Sequence, residues 1–298
     1  MLFDEIPDGL MLVATTEPAI CVVIRLGEIQ SGSSFYYSFL YLPLEKRRAI
    51  TALYAFCREV DDVVDECTDA SVARTKLAWW RQEIQAIFNR GGGDKPSHPV
   101  AKALANVAPA FNLTAERLNA IVDGMEMDLN HNRYTDFDTL RRYCYHVASV
   151  VGLCSAEIFG YRNPQTLNYA ENLGLAFQLT NIIRDVGEDA RRNRIYLPQD
   201  ELARFGVTEE DILHARESDN FRRLMEFQIE RAENYYERAF AALPAEDRKT
   251  QRSGIIMAAI YRTLLTEIKR DGYHVMRQRI SLTPLRKLWI AWTTWMKG

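Results

Sequence analysis

The sequence lacks the residue patterns that mark several large classes of protein. Basic residues are not in excess, because 37 Lys and Arg stand against 40 Asp and Glu, for a formal net charge of −3. We therefore expect no nucleic-acid partner. The five cysteines have no CxxC spacing and the five histidines form no HExxH pair. These spacings argue against a zinc site and favour reduced thiols in a cytoplasmic protein over a disulfide framework.

Long hydrophobic runs are also missing. The apolar stretch at residues 10–26 is interrupted by Glu17, Pro18 and Arg25, so it is too short and too broken to span a bilayer. Acidic residues stand where a signal peptide would carry its basic region. We interpret residues 1–30 as an N-terminal arm of undetermined structure. Residues 31–298 form one domain in this interpretation, since no linker or internal repeat divides them.

Alternating strand patterns bounded by turn signals are absent as well. From about Ser34 onward, apolar residues instead recur at three- and four-residue spacing, which is typical of helices with one buried face. The predicted helices cover residues 47–64, 72–88, 99–110, 115–129, 139–159, 166–189, 219–242 and 253–278. The sequence thus predicts an all-α fold, a helical bundle whose long helices enclose a central cavity.

The first of two carboxylate clusters lies in the predicted helix at residues 47–64. Asp61 and Asp65 are four residues apart, so their side chains project about 40° from each other on one helix face. Arg58 projects about 20° beyond Asp65, and Asp62 lies at the edge of the same arc. This face therefore combines several carboxylates with one guanidinium group.

The second cluster lies in the predicted helix at residues 166–189. Asn181, Asp185 and Asp189 follow an i, i+4, i+8 ladder, and Gln178 precedes Asn181 by three residues. The four side chains span about 80° of one face. Apolar neighbours on the other side predict that this helix also has a buried face, so its polar groups are expected to line an interior cavity.

Carboxylates one turn apart repel each other, and a divalent cation removes that cost. Oxygen ligands without cysteine or histidine suit Mg²⁺, which binds one or two carboxylates and bridges to substrate phosphates. A single DDxxD pattern is often only a solvated acidic face. Two such clusters, each with basic or amide companions, favour a metal-assisted diphosphate site over that alternative.

At this point the sequence resembles the squalene/phytoene synthase family, the head-to-head prenyl synthases. The resemblance runs from Ser31 to about Leu288. It rests on the run YAFCR leading into Asp61, Asp62 and Asp65, and on residues 178–189 followed by RIYLP at 194–198. Residues 33–35 and the segment 143–152 match two further features of the family. The resemblance implies the isoprenoid-synthase fold, with residues 31–298 as the catalytic domain.

The resemblance also implies roles for individual residues. The implied magnesium ligands, with Mn²⁺ as a substitute, are Asp61, Asp62, Asp65, Asn181, Asp185 and Asp189. The implied diphosphate-binding residues are Ser34, Phe35, Arg58, Arg184, Arg194, Tyr196 and Arg279. The implied catalytic residues are Tyr54, Arg58, Tyr143, Gln178 and Tyr261.

Several of these assignments have plainer alternatives. Arg277 is a rival for Arg279. Tyr143 could simply pack in the core, and Arg184 could pair with a neighbouring acid on its own helix. Cys57 and Cys144 lie inside the motifs but are expected to be small core residues.

The implied reaction joins two identical allylic diphosphates through a cyclopropylcarbinyl diphosphate. The runs at 32–37, 57–66 and 196–202 look most like enzymes that convert two farnesyl diphosphates into presqualene diphosphate in hopanoid synthesis, without NADPH. The alternatives are phytoene synthase, acting on geranylgeranyl diphosphate, and dehydrosqualene or squalene synthase. A single-substrate terpene cyclase, a diphosphate hydrolase and a non-catalytic helical scaffold also remain open.

The C-terminal segment, residues 281–298, combines three tryptophans with Arg286, Lys287 and Lys297. A basic, tryptophan-rich end is typical of contact with a membrane surface. The alternative is a packed terminal helix. The expected partner is a prenyl diphosphate, farnesyl or geranylgeranyl; peripheral membrane contact through this tail and contact with the enzymes that act next on the product are left open.

Overall fold

The computed structural model describes residues 34–39, 41–67, 69–89, 93 and 95–297, and for residues 34–36 it describes the backbone only. The helices are α1 (Ser34–Phe39), α2 (Leu44–Glu66), α3 (Ala70–Phe88), α4 (Pro99–Val107), α5 (Ala115–Asn130), α6 (Phe137–Cys144), α7 (Val150–Phe159), α8 (Gln165–Arg191), α9 (Gln199–Phe205), α10 (Glu209–Leu213), α11 (Asp219–Ala242), α12 (Arg252–Arg270) and α13 (Pro284–Lys297). No strand occurs in these residues, and the all-α prediction is confirmed.

Two predicted helix boundaries are wrong for identifiable reasons. The helix predicted at 253–278 ends at Arg270, because the backbone adopts a positive φ at Gly272 and Tyr273 and leaves the helix there. The helix predicted at 139–159 begins at Phe137 and is interrupted by a π-helical turn at Tyr145–Ser149. The N-terminal arm proposed for residues 1–30 lies outside the described residues, so the division at residue 30 stays a prediction.

The hydrophobic core is divided into two clusters. One surrounds α8, α11 and α12, and the other surrounds α2, α3, α4 and α5. Helix α2 packs on its three neighbours and on α7, whereas α8 packs on α6, α7, α11 and α12. Among the described helices, α2 and α8 have no comparable packing on each other, and the seam between the clusters is bridged by Arg192 and Arg194, just after α8, which reach Asp65 of α2.

Glycines allow α7 and the π-helical turn to approach α8 closely. A Cβ atom on Gly152 would lie 2.5 Å from the carbonyl oxygen of Ala170, and one on Gly174 would lie 2.5 Å from that of Ala148. Neither backbone oxygen can move aside. The two glycines are therefore required for the close packing of α7 and the π-helical turn on α8, beside the seam between the clusters.

Candidate active site

The first wall of the candidate site is the polar face of α2. Arg58 Nη1 lies 3.3 Å from Asp61 Oδ2, and Nη2 lies 2.8 Å from Asp62 Oδ1. Burial and the neighbouring Asp65 raise the pKa of Asp61 to about 6, although Arg58 opposes them. Burial also raises the pKa of Asp62, against the same guanidinium group. One arginine therefore does not neutralise this wall.

The second wall is the polar face of α8. Arg184 and Asp185 form a two-pronged ion pair, and Arg279 Nε donates to Asp185 Oδ1 at 2.9 Å. Burial would raise the pKa of Asp185, but Arg184 and Arg279 outweigh it and hold that pKa below its usual value. One turn further along, burial and the charge of Asp185 raise the pKa of Asp189 to about 7.

The amide residues of this wall lie beside the same face. Asn181 Nδ2 donates to Gln178 Oε1 at 3.4 Å. Asn181 Oδ1 is buried and has no hydrogen-bond partner among the described residues. A buried acceptor without a partner is costly, so this oxygen is available to a ligand that enters the seam.

Two arginines that follow α8 connect the walls. Arg192 Nη1 lies 2.8 Å from Asp65 Oδ2, and Arg194 Nη1 lies 2.8 Å from Asp65 Oδ1. Burial would raise the pKa of Asp65, but the two arginines lower it instead. Both carboxylate oxygens of Asp65 are thus held by residues from the opposite wall.

Asp128, on α5, was missed by the sequence analysis. Its Oδ1 accepts a hydrogen bond from Tyr196 at 2.6 Å, and its Oδ2 lies 3.3 Å from Arg194. Burial raises its pKa, although Arg194 opposes the effect. The only sequence signal was an acid placed between Met127 and Leu129 in an amphipathic helix, which does not separate it from a surface acid.

Three buried tyrosines pack beside Asp128. The Tyr143 and Tyr196 rings stack with centroids 5.4 Å apart, and Tyr134 lies 5.4 Å from Tyr143 and 5.8 Å from Tyr196. Burial raises the pKa of Tyr143 and of Tyr196, and the charge of Asp128 adds to it. These hydroxyls therefore stay neutral and can donate hydrogen bonds. Tyr143 is both packed in the core and adjacent to the polar network.

Tyr261, on α12, contributes a further buried aromatic ring that packs against α8. Its ring centroid lies 4.8 Å from that of Phe177. Burial raises the pKa of Tyr261, and the nearby Arg184 and Tyr54 act on it in opposite directions. The predicted residues Tyr54, Arg184 and Tyr261 are thus neighbours.

The segment after α12 supplies a further cation. The Gly187 N–H donates to the carbonyl of Val275 at 3.2 Å, and a Cβ atom on Gly187 would lie 2.2 Å from the Met276 carbonyl oxygen. This close crossing brings Arg279 to Asp185. The rival candidate Arg277 instead lies 3.6 Å from Glu217, so Arg279 is the one of the two that contacts the polar face of α8, and its diphosphate role stays a prediction.

Lys287, on α13, was also missed. It is 8% exposed, and burial followed by the charges of Arg184 and Arg279 lowers its pKa. Three cations from α8, the 271–283 segment and α13 therefore lie together. The sequence analysis named Lys287 only as part of the basic, tryptophan-rich end, for which membrane contact and a packed terminal helix were both open, and it did not place Lys287 in the site.

Two predicted residues lie on α1. Ser34 and Phe35 begin that helix, which packs on α12 and α13, and Lys287 belongs to α13. The side chains of Ser34 and Phe35 are outside the described atoms, so their diphosphate role stays a prediction. The cysteines at 57, 67, 144 and 154 are free thiols, and burial raises the pKa of Cys57, Cys144 and Cys154.

The oxygen ligands of this site fit Mg²⁺ only if an anion such as diphosphate binds together with it. Among the described residues, no three His, Cys, Asp or Glu side chains converge closely enough to hold a metal ion alone. Mg²⁺ usually takes only one or two carboxylates and completes its shell with water and phosphate oxygens. Asp61 and Asp189, whose charges the nearby arginines offset only in part, offer such partial sites on the two walls, together with the Asn181 oxygen that has no hydrogen-bond partner among the described residues.

Known proteins are similar to this chain over most of its length. Residues 30–286 match the sequence pattern of the family described as squalene/phytoene synthase. Phytoene synthase from Arthrospira platensis is 38% identical over 275 residues, covering 87% of each chain. The 15-cis-phytoene synthase from Synechococcus elongatus is 35% identical and covers 86% of each chain.

Two solved structures are similar as well. A dehydrosqualene synthase in complex with a ligand superposes with a TM-score of 0.82 at 28% identity, covering 94% of this chain and 95% of that one. Squalene synthase HpnC from Alicyclobacillus acidocaldarius gives 0.74 at 26% identity, covering 86% and 94%. The similarity therefore spans both carboxylate helices and the helices that carry the tyrosines.

Proposed function

The chain belongs to the squalene/phytoene synthase family of prenyltransferases, and we propose that it couples two identical allylic prenyl diphosphates head to head. The observation that carries the proposal is the pair of carboxylate helices, α2 and α8, joined across the seam by Arg194. One wall alone would suit a metal, but two opposed walls with arginines on each suit two diphosphate groups.

The arginines and Lys287 have the clearest task in this reaction. Guanidinium groups bind diphosphate oxygens through paired hydrogen bonds, and Arg58 and Arg184 provide one such group on each wall. Their present partners are carboxylates, so diphosphate would replace Asp62 and Asp185 as the anion. Mg²⁺, or Mn²⁺ in its place, would be held by carboxylates of both walls and Asn181, and would supply charge neutralisation to the leaving diphosphate.

The proposed reaction begins when the allylic C–O bond of one substrate breaks and diphosphate leaves with the electron pair. The alkene of the second substrate attacks the cation, and transfer of one proton to the released diphosphate closes the cyclopropane ring. The neutral hydroxyls of Tyr143 and Tyr196 would orient the departing diphosphate, Tyr196 by exchanging its present bond to Asp128. The stacked rings exclude water from the cation.

For the substrate, we propose geranylgeranyl diphosphate, with phytoene as the product. Phytoene forms when the cyclopropyl diphosphate loses its remaining diphosphate, the ring opens by rearrangement, and a second proton passes to the released diphosphate. The support is the identity of 38% and 35% to relatives named phytoene synthase. Farnesyl diphosphate, giving presqualene diphosphate, is the second candidate. It is supported by the sequence segments at 32–37 and 57–66 and by the structures named dehydrosqualene and squalene synthase. NADPH is not expected to be needed for either product, and a cytoplasmic location stays a prediction.

The test is incubation with farnesyl and geranylgeranyl diphosphate in separate reactions, with Mg²⁺ and with or without NADPH, followed by mass analysis of the products. Phytoene from geranylgeranyl diphosphate supports the first candidate. Presqualene diphosphate from farnesyl diphosphate alone would replace it with the second. Free prenyl alcohols or a cyclised product of one substrate molecule would refute the coupling reaction itself.

A further inference from the structure

Helix α13 has two faces of opposite character. Its inner face buries Lys287 and Ala291 beside the candidate site. Its outer face exposes Leu285, Leu288, Trp289, Trp292 and Met296, with Leu285 79% and Trp289 62% exposed. These side chains recur at three- and four-residue spacing and span about 120° or less of the helix surface. Such a stripe is too large and too ordered to be scattered surface apolarity.

The apolar surface continues onto the chain before α2. The ring of Tyr41 stacks on that of Trp295 with centroids 5.2 Å apart. Tyr41 is 40% exposed, and Leu44, three residues later, is 49% exposed. We call this combined set, Tyr41, Leu44 and the exposed apolar residues of α13 including Trp295, the outer surface.

The exposed charges around the outer surface are mostly basic, although the whole chain carries a net charge of −3. Helix α13 contains no carboxylate; of its three cations Lys297 is exposed, Arg286 pairs with Glu267 at 2.6 Å, and Lys287 is on the buried inner face. At the start of α2 the exposed Glu45 is followed by Lys46, Arg47 and Arg48, and the Arg252 guanidinium lies 5.6 Å from the Trp295 ring centroid. The surface is thus a basic, aromatic region on an otherwise slightly acidic protein.

We propose that the outer surface docks the protein on an anionic lipid bilayer, with α13 lying in the plane of the headgroups. Tryptophan and tyrosine are favoured at that depth, because their rings are apolar while each keeps a polar atom. Basic side chains are attracted to anionic headgroups by about 1 kcal/mol each. None of the described helices is long and apolar enough to cross a membrane.

A second copy of the chain fits this surface less well. A symmetric contact would place the same basic side chains of two molecules against each other. Helix α13 has no acid to offset that repulsion, and the exposed Glu45 at the start of α2 is outnumbered by Arg47 and Arg48 beside it. An anionic bilayer supplies the missing charge over the whole surface.

Docking in this way would place the site close to the lipid. Lys287 lies on the opposite side of the helix from Trp289 and Trp292, so the lipid and the site would be about one helix diameter apart, roughly 10–12 Å. The value of this proximity rests on the proposed function, whose substrates and products carry long apolar chains. Docking itself rests only on the exposed side chains and their charge.

The experiment uses the full chain without substrate, in flotation assays with vesicles of phosphatidylcholine alone or mixed with phosphatidylglycerol. We expect the protein to float with the anionic vesicles and less with the neutral ones. The variant Leu285→Ser/Trp289→Ser/Trp292→Ser should reduce bound protein at least about tenfold. Lys297→Glu/Arg48→Glu should weaken binding to anionic vesicles only. Brominated lipids should quench tryptophan fluorescence in the wild type and less in the triple variant.

The matched control is Val72→Ser/Trp79→Ser, which removes exposed apolar side chains from α3 and should leave flotation unchanged. Circular dichroism and thermal melting establish that each variant is folded. No flotation of the wild type, or equal loss in the control, would overturn the proposal. A dimer in light scattering that the triple variant abolishes, without vesicle binding, would assign the surface to a second copy. Vesicle binding that appears only after deletion of residues 1–30 would assign it to that segment. Because no substrate is present, failure here leaves the coupling reaction unaffected.

Discussion

Helices α2 and α8 carry similar acid spacings but surround them differently. The arginine of α2, Arg58, has a side chain 58% exposed, whereas Arg184 of α8 is 16% exposed. On α2 the carboxylate held by two arginines is the later one, Asp65. On α8 it is the earlier one, Asp185. In each case the remaining acid, Asp61 or Asp189, has a raised pKa.

The comparison teaches that one spacing can produce two kinds of carboxylate. An acid with arginine partners is ionised and already neutralised. An acid that is buried beside another acid, as Asp61 and Asp189 are, keeps a raised pKa because the nearby Arg58 or Arg194 offsets only part of its charge. A site with one of each kind on both walls would bind cations weakly until an anion draws the arginines away. Magnesium and diphosphate are therefore expected to bind together.

The largest expected effect is on turnover. Asp61→Asn or Asp185→Asn removes a carboxylate that would hold the Mg²⁺ needed to neutralise the leaving diphosphate, and we expect kcat to fall by about 10²–10³-fold or more. The measurement is product formation at saturating substrate and Mg²⁺, with thermal melting as the check on folding. Asp138→Asn, an exposed surface acid on α6, is the matched control. Near-normal rates in either site variant would remove that residue from the mechanism.

The second effect is the coupling between metal and anion. Calorimetric titration with Mn²⁺ should show affinity about 5–150-fold higher with inorganic diphosphate present than without it. Arg192→Gln frees one oxygen of Asp65 and should raise the affinity for Mn²⁺ in the absence of diphosphate. The difference between the Mn²⁺ affinities with and without diphosphate should therefore become smaller. Equal Mn²⁺ affinity with and without diphosphate would contradict the idea that arginines neutralise carboxylates on both walls until an anion binds.

The third effect separates the two arginines that hold Asp65. Arg194 also pairs with the buried Asp128, so Arg194→Gln strands a buried charge and should lower the free energy of unfolding by about 1–3 kcal/mol. Arg192 is 49% exposed, and Arg192→Gln should cost less than about 1 kcal/mol. Denaturant unfolding of both variants measures the contrast. A larger loss of unfolding free energy for Arg192→Gln than for Arg194→Gln would contradict this ranking of the two arginines.

The smallest effect is a pH dependence of metal-free stability. Because folding raises the pKa of Asp61 to about 6 and of Asp189 to about 7, the folded state takes up protons that the unfolded state does not. The free energy of unfolding should therefore rise as pH falls from 8 towards 5. Asp61→Asn/Asp189→Asn should flatten the curve. Mn²⁺ affinity should change in the opposite direction, since protons compete for the same oxygens.

The sequence predicted the parts of this molecule that depend on periodicity. The helices and the shared faces of Asp61 with Asp65, and of Asn181 with Asp185, follow from residue spacing alone. Asp128 and Lys287 could not be found that way, because each enters the site from another helix and its neighbours in sequence do not reveal which face is buried. The pairing of Asp65 with Arg192 and Arg194 also depends on tertiary contacts, which spacing does not contain.

The close crossing at Gly187 limits how this site can change over evolution. A single added methyl group would push the Met276 carbonyl away, and Arg279 lies three residues beyond it on the same stretch of chain. Substitutions at position 187 would thus shift Arg279, the cation proposed to bind diphosphate, without altering any of the proposed site residues. Laboratory selection for new prenyl acceptors should find position 187 intolerant, while positions on the outer side of the same crossing accept variation.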